Sequence, residues 1–280
     1  MMKWNPAINR HTPWPHMIFL SLWHNWDLIG QMTMREVIGR YRGSVMGLFW
    51  SFFNPILMLA VYTFVFGVVF KARWNTGENT SQTEFAIILF SGLITFHLFS
   101  ESVNQAPGLI LSNANFVKKV VFPLEILPWV ALGCSLFHAF INMLVLLIFF
   151  AFIHHFIYWT TLLLPLVWLP FVLLIMGISW FLAATGVYIR DVGQVVGVIT
   201  SMLMFLSPIF YPIHALSENY RFWLNLNPLT FILEQVRAIV VWGQLPNWTG
   251  LMLYLLASIM VAALGFAWFQ KTRKGFADVI

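Results

Sequence analysis

From 126 to 189 the chain runs for 64 residues without a single Asp, Glu, Lys or Arg. One membrane-spanning helix uses only about 20 apolar residues, so this run has to hold two crossings. They divide at "HHFIYWTT" (154–161), where paired histidines, Tyr158 and Trp159 suit a turn at the membrane surface. Four more charge-free runs repeat the signal, at 43–70, 85–100, 192–217 and 238–270. A charge at the centre of a spanning helix costs about 2.5–3.5 kcal/mol on the insertion scale, which explains their purity. The pattern predicts six spans, near 45–70, 85–105, 127–152, 161–188, 193–212 and 249–269. The fold class is therefore all-α and polytopic.

Composition excludes the competing classes. Only 9% of residues are charged and 18% are aromatic, whereas a soluble domain carries about 25% charged residues. Disordered chains are rich in charge and poor in aromatics. The one cysteine, Cys134, lies in an apolar run and leaves no intrachain disulfide, CxxC pair or thiolate metal site. The net charge of +5 reads as basic residues kept on the cytoplasmic side, not as a nucleic-acid footprint.

Six spans put both termini on one side. With that side cytoplasmic, the inner segments hold 11 basic residues: Lys3, Arg10, Arg35, Arg40, Arg42, Lys118, Lys119, Arg190, Lys271, Arg273 and Lys274. The outer segments hold 4, namely Lys71, Arg73, Arg221 and Arg237. The asymmetry predicts N-in, C-in, with Lys71 and Arg73 dissenting. The N-terminal stretch shows no apolar core followed by a small-residue cleavage site, so no removable signal peptide is expected. From Leu22 on, Leu22, Trp26, Ile29, Thr33 and Val37 share one helical face, and His24, Asp27, Gln31, Arg35 and Arg42 another. This predicts an amphipathic helix, lying in the membrane interface or packed on a partner.

Two connections exceed ordinary turns. The inner one, 106–126, joins turn residues, a Lys pair and an apolar stretch. The outer one, 213–248, is apolar; "NPLTFILEQVRAIV" (227–240) aligns Leu229, Ile232, Leu233, Val236 and Val240 as a short helix dipping into the bilayer.

Catalytic motifs are missing. The nearest approach to a phosphate loop, "GFAWFQKT" (265–272), has Gln270 in place of the second glycine. HExxH and GxSxG are absent, and no histidine has a carboxylate at ligand spacing. Glu101, Glu125 and Asp191 sit near inner span boundaries, and Glu234 in the outer dipping helix. Each reads as a boundary or partner residue, not a proton relay. That argues for energy supplied from outside the chain. The 28 Phe, 14 Trp and 7 Tyr suit interfacial belts and packing, and aromatic faces also stack on the C–H faces of sugars.

At "RYRGSVMGLFWSFFNPILML" (40–59) the sequence closely resembles the permease subunit of ABC transporters that export lipid-linked polysaccharide, the O-antigen (Wzm) type. Capsule and teichoic acid exporters are related. "NANFVKKVVFPLEILP" (113–128), "YPIHAL" (211–216) and "NLNPLTFILEQVRAIV" (225–240) carry the likeness along the chain. The resemblance implies a single permease domain over 1–280. Its parts are a cytoplasmic N-terminus with interface helix (1–44), spans one to five (45–212), a periplasmic gate segment (213–248), span six (249–270) and a cytoplasmic tail (271–280).

It further implies a homodimer in the bacterial inner membrane, paired with two copies of a cytoplasmic ATPase. ATP and Mg would bind that partner; no cofactor is expected on this chain, nor any enzymatic activity, catalytic residue, metal or nucleic acid. The cargo would be glycan on undecaprenyl pyrophosphate. Its candidate contacts are Arg40 and Arg42, which could equally be membrane anchors, with Trp50, Phe53, Tyr62, Trp129 and Phe137 along the path. Asn115, Phe116, Lys118 and Lys119 are the candidate ATPase-coupling residues, and Tyr211, Tyr220, Trp223, Glu234 and Arg237 the candidate gate. Capsular polysaccharide or teichoic acid as cargo, and a proton-coupled lipid flippase, stand as alternatives.

Overall fold

A computed structural model describes residues 21–70, 74, 82–118 and 122–280. Lys119, and the basic residues Lys3, Arg10, Lys71 and Arg73, lie outside the described residues. Every regular element among the described residues is helical. Helix α1 (Trp26–Tyr41) precedes α2 (Trp50–Tyr62), which runs on as π-helix through Thr63–Val69. Helix α3 (Gln82–Gln105) leads into a broken connection holding the short α4 (Leu109–Ser112) and α5 (Ala114–Lys118). Then come α6 (Leu127–His154), α7 (Leu164–Tyr188) and α8 (Val192–Leu206). The outer connection holds α9 (Glu218–Leu226) and α10 (Pro228–Val240), before α11 (Trp248–Thr272) and α12 (Phe276–Val279).

Five stretches are long and apolar enough to cross a membrane: Gly47–Val69, Thr83–Ser112, Leu124–His154, Trp159–Tyr188 and Trp248–Val279. They coincide with five of the six expected spans. The remaining one, expected over 193–212, is shorter. Pro208 disfavours helical geometry at the residue before it, and Ser207 is extended (ψ 150°). Helix α8 thus ends at Leu206, about 22 Å long at 1.5 Å per residue, against a hydrocarbon core of about 30 Å. Its start still lies near Pro107, and at its end Phe205 stacks on Phe210, which reaches Phe66 of the π-helical stretch.

Helix α1 docks on its own chain. Ile29, Met32 and Val37 are buried, and Thr33 meets α6 at Gly133, where a Cβ would stand 2.8 Å from its hydroxyl. Trp26, Met34 and Ile38 stay exposed along the helix, and Trp23 just before it, an apolar margin suited to a membrane interface.

Helix α7 forms the core, with Phe171, Ile175, Met176, Trp180 and Ala184 buried. It crosses α11 at two glycines: a Cβ on Gly265 would collide with the Gly177 carbonyl, and one on Gly177 would lie 2.6 Å from the Val261 carbonyl. In a bilayer, where lipid is as apolar as leucine, such close backbone approach is what holds helices together. Gly265→Val should cost about 1–3 kcal/mol or more through overpacking. It should lower the thermal midpoint of the chain in lipid, whereas Gly30→Ala, with open space around its Cβ, should not.

Candidate functional site

A cavity of about 400 Å³ lies between the end of α1 and helices α2, α3 and α6. Helical spacing builds it. Trp50, Asn54, Met58 and Tyr62 recur every fourth residue on α2, and Phe90, Ile94, His97, Glu101 and Asn104 every third or fourth on α3. His138 and Asn142 sit one turn apart on α6, while Arg40 and Tyr41 close the α1 side. Residues spaced this way share one face of a helix, so each helix turns a polar stripe with aromatic members toward the same space.

An ionic cluster closes the α1 end. Arg40 Nη1 donates to Glu101 Oε1 at 2.6 Å, and His138 Nδ1 lies 3.0 Å from the same oxygen. The Tyr41 hydroxyl stands 3.4 Å from His138 Nε2. The ring thus stands between its neighbours, with Nδ1 toward Glu101 and also 3.2 Å from Arg40 Nη1, and Nε2 toward Tyr41. Partial burial works against the Arg40 charge, but its hydrogen bond and ion pair with Glu101 hold the guanidinium above the ordinary arginine range. Burial, ahead of the neighbouring charges, raises the Tyr41 phenol. The cluster therefore pairs the Arg40 cation with the Glu101 anion, with the His138 ring against both.

Of the expected glycan contacts, Arg40, Trp50 and Tyr62 line this cavity. Phe53 flanks Trp50 edge-on at 5.7 Å, and Phe137 lies beside the His138 ring; neither is in the lining. Arg42 is exposed beyond the mouth. Trp129 packs edge-on against Trp180 at 5.8 Å, away from the cavity. Sequence reasoning missed Asn54, His97, Asn104, His138 and Asn142, although polar residues at helical spacing inside apolar spans were a readable signal. The His138–Glu101 contact joins residues 37 apart, which motif spacing does not reveal.

On the same side as α1, Asn115 and Lys118 are exposed, and Lys118 Nζ donates to the Ile280 backbone oxygen at 2.7 Å. Phe116 is half-buried and stacks on Phe122 at 4.4 Å, nearly parallel. Close by, Arg273 of the 3₁₀ turn after α11 pairs with Glu125 at 2.5 Å and donates to the Phe122 carbonyl.

At the opposite end, Arg237 is fully buried (0% exposed). Its guanidinium donates to the Pro208 carbonyl (2.6 Å), the Ile209 carbonyl (3.1 Å) and Glu234 (2.7 Å), and lies 4.5 Å over the Trp74 ring. Gly92 makes room for it, since a Cβ there would stand 2.8 Å from Nη2. The carbonyls it holds belong to the two residues just past the end of α8. Tyr211 ties back to the Phe205 carbonyl at 3.2 Å. Tyr220 and Trp223, on α9, are exposed. No group of three or more His, Cys, Asp or Glu side chains is placed to hold a metal ion among the described residues. Arg237→Leu should destabilise the protein in lipid by about 3 kcal/mol or more, because it strands Glu234 and two carbonyls. Glu234→Gln keeps an acceptor but leaves a fully buried cation without its counter-charge, so it too should cost about 3 kcal/mol; thermal unfolding of both variants checks this.

Comparison with known proteins adds the evolutionary context. A family described as "ABC-2 type transporter" matches residues 27–241. An O-antigen export system permease protein RfbA of Myxococcus xanthus is 27% identical over 255 residues, covering 90% of this chain and 95% of that protein. A Klebsiella pneumoniae protein of the same description is 24% identical over 266 residues, covering 93% and 97%. The polysialic acid transport protein KpsM of Escherichia coli is 25% identical over 244 residues, covering 87% and 92%.

Proposed function

We propose, from the premise that the chain belongs to the ABC-2 type transporter family, that it is the permease subunit of an ATP-driven polysaccharide exporter in a bacterial inner membrane. The observation that carries this reading is the match to export permeases over about nine-tenths of both chains. We take α8 as the fifth of six spans, completed by the segment around Pro208, with both termini cytoplasmic. The α1 side is then the side of glycan assembly, and the cavity opens where cargo would enter.

The mechanism divides the labour. This chain forms the path as a homodimer, and two copies of a separate ATPase bind ATP and Mg and hydrolyse it. Asn115, Lys118 and Lys119 would face that partner. Phe116, stacked on Phe122, would keep the docking segment in shape and pass its movement to α6. Since ligands shift equilibria only through differential contacts, transport rests on two arrangements of the helices with unequal hold on the glycan. We assign the cargo to O-antigen on undecaprenyl pyrophosphate, in line with the first relatives. Capsular polysaccharide is the second reading, favoured by the polysialic acid relative.

Cells lacking the chain should lose surface polysaccharide and accumulate lipid-linked glycan inside, and the gene should restore export. Unchanged surface glycan with no internal accumulation would overturn the reading, and the glycan lost names the cargo. The orientation has its own check. In a Cys134→Ala background, a cysteine at Asn219 should react with an impermeant thiol reagent on intact cells, and one at Asn115 should not.

A further inference from the structure

Helix α5, five residues long, has little of its own to hold it in place. Isolated helices shorter than about 12–15 residues are marginal, and none of the α5 side chains is fully buried. Its stack of Phe116 on Phe122 leads toward α6. A second support comes from the segment that follows α11. Lys118 Nζ, at the end of α5, donates to the Ile280 backbone oxygen at 2.7 Å. Arg273 Nη2 donates to the Phe122 carbonyl at 3.0 Å, and Nη1 pairs with Glu125 at 2.5 Å. One guanidinium thus holds both sides of the turn into α6. The paired side chains are only 17% and 15% exposed, so water and salt screen them less than a surface pair.

The segment over 273–280 is itself fixed to the core. Phe276 is fully buried, 5.6 Å from the Phe269 ring of α11 and 6.1 Å from Tyr188 at the end of α7. The Tyr188 hydroxyl donates to the Thr272 carbonyl at 2.7 Å. Gly275 lets it approach, since a Cβ there would stand 2.6 Å from the Tyr188 oxygen. Helices α7 and α11 are in turn the pair locked backbone to backbone at Gly177 and Gly265. Helix α5 therefore meets the bundle along two routes. One runs forward into α6 through Phe122, the other sideways into the α7–α11 pair through Arg273 and Phe276. Contiguous packed side chains and ion pairs of this kind carry energetic coupling between distant sites.

We propose that the segment after α11 is a strut that passes movement of the coupling segment to the α7–α11 pair, with Arg273 and Phe276 as its positioning residues. The proposal rests on the reading that the segment around α5 meets the ATPase. Neither residue is placed to touch that partner: Phe276 is buried, and Arg273 is turned to Glu125 and Phe122. Without the strut, a push on α5 reaches α6 alone. ATP is then hydrolysed while the core pair stays where it is.

The test compares export with ATP use. Wild type, Phe276→Ala, Arg273→Ala and Arg273→Lys are each produced, in a host lacking the native chain, with the ATPase that co-purifies with wild type. Pull-down gives ATPase capture, the purified complex in lipid nanodiscs gives hydrolysis, and the cells give surface polysaccharide. Phe276→Ala and Arg273→Ala should capture the ATPase and hydrolyse ATP as wild type does. Their surface polysaccharide should fall about tenfold, within the span of coupling changes along such a route. Arg273→Lys, which keeps a charge facing Glu125, should restore most of the export. Export that falls only in step with the amount of folded complex would make the segment a plain structural support and overturn the proposal. Unchanged export, or no gain of Arg273→Lys over Arg273→Ala, would overturn it too. Asn115→Arg separates the two readings: Asn115 is exposed on α5, so this variant should lose ATPase capture. Undiminished capture there would remove the coupling reading, and the strut with it, whatever the other variants do.

Discussion

Water is absent from the hydrocarbon layer, so any polar group carried into it must find its partner inside the protein. Arg237 shows how far this constraint reaches. The chain leaves α8 just before Pro208, and the buried carbonyls of Pro208 and Ile209 beyond it have no helical donors. The guanidinium of Arg237 supplies those donors, and Glu234 and the Trp74 ring balance its charge. Gly92 exists in that wall because any side chain would occupy the space of Nη2. Helix break, buried cation, partner acid and glycine form one arrangement.

The α1 end obeys the same rule with a different outcome. Glu125 pairs with Arg273 across 148 residues of sequence and Glu101 with Arg40 across 61. Both pairs join a span to an element at the membrane edge, so they act as clasps between helix ends. Exposed ion pairs contribute little stability, and Arg40 is half exposed. What they contribute is register: which turn of α1 faces α3, and where the chain leaving α11 meets the start of α6. Between the two ends the helices hold by close apolar packing at Gly177 and Gly265, with no ionic group involved.

The sequence made the spans legible because insertion cost is a local property, summed along one helix. Five of the expected spans match helices of the structure closely. The stretch at 193–212 was drawn too long, because its apolar character continues past Pro208 while its backbone does not. The helix over 228–240 was legible from the spacing of Leu229, Ile232, Leu233 and Val236, all of which are buried against the rest of the chain. Pairings were not legible. Arg237 counted as an outer loop charge in the basic asymmetry, yet it is buried and neutralised, a state decided by residues 208, 209 and 234 together. Trp129 and Tyr62 look alike in sequence, each an aromatic in a span, but one packs on Trp180 and the other lines the cavity. Which side of a helix faces a neighbour is a tertiary fact, and near-uniform hydrophobicity removes the periodicity that would have announced it.

The same accounting limits where the far side can yield. Helix α10 is tied to the break after α8 by Arg237, to the turn before α7 by the Thr160 hydroxyl on the Ile239 carbonyl (2.6 Å), and to the start of α11 by Gln235 on the Asn247 backbone (2.7 Å). Moving it alone would strip a buried cation and two carbonyls of their partners. Helix α9 is held differently. Arg221 caps the carbonyls of His214 and Leu216 just before it, and Asn227 just after it bonds Ser207. Tyr220, Phe222, Trp223 and Leu226 remain exposed along its length. Its hydrogen bonds are confined to its two ends, and of its own residues it buries only Leu224. The far side is therefore held firmly at α10 and lightly at α9.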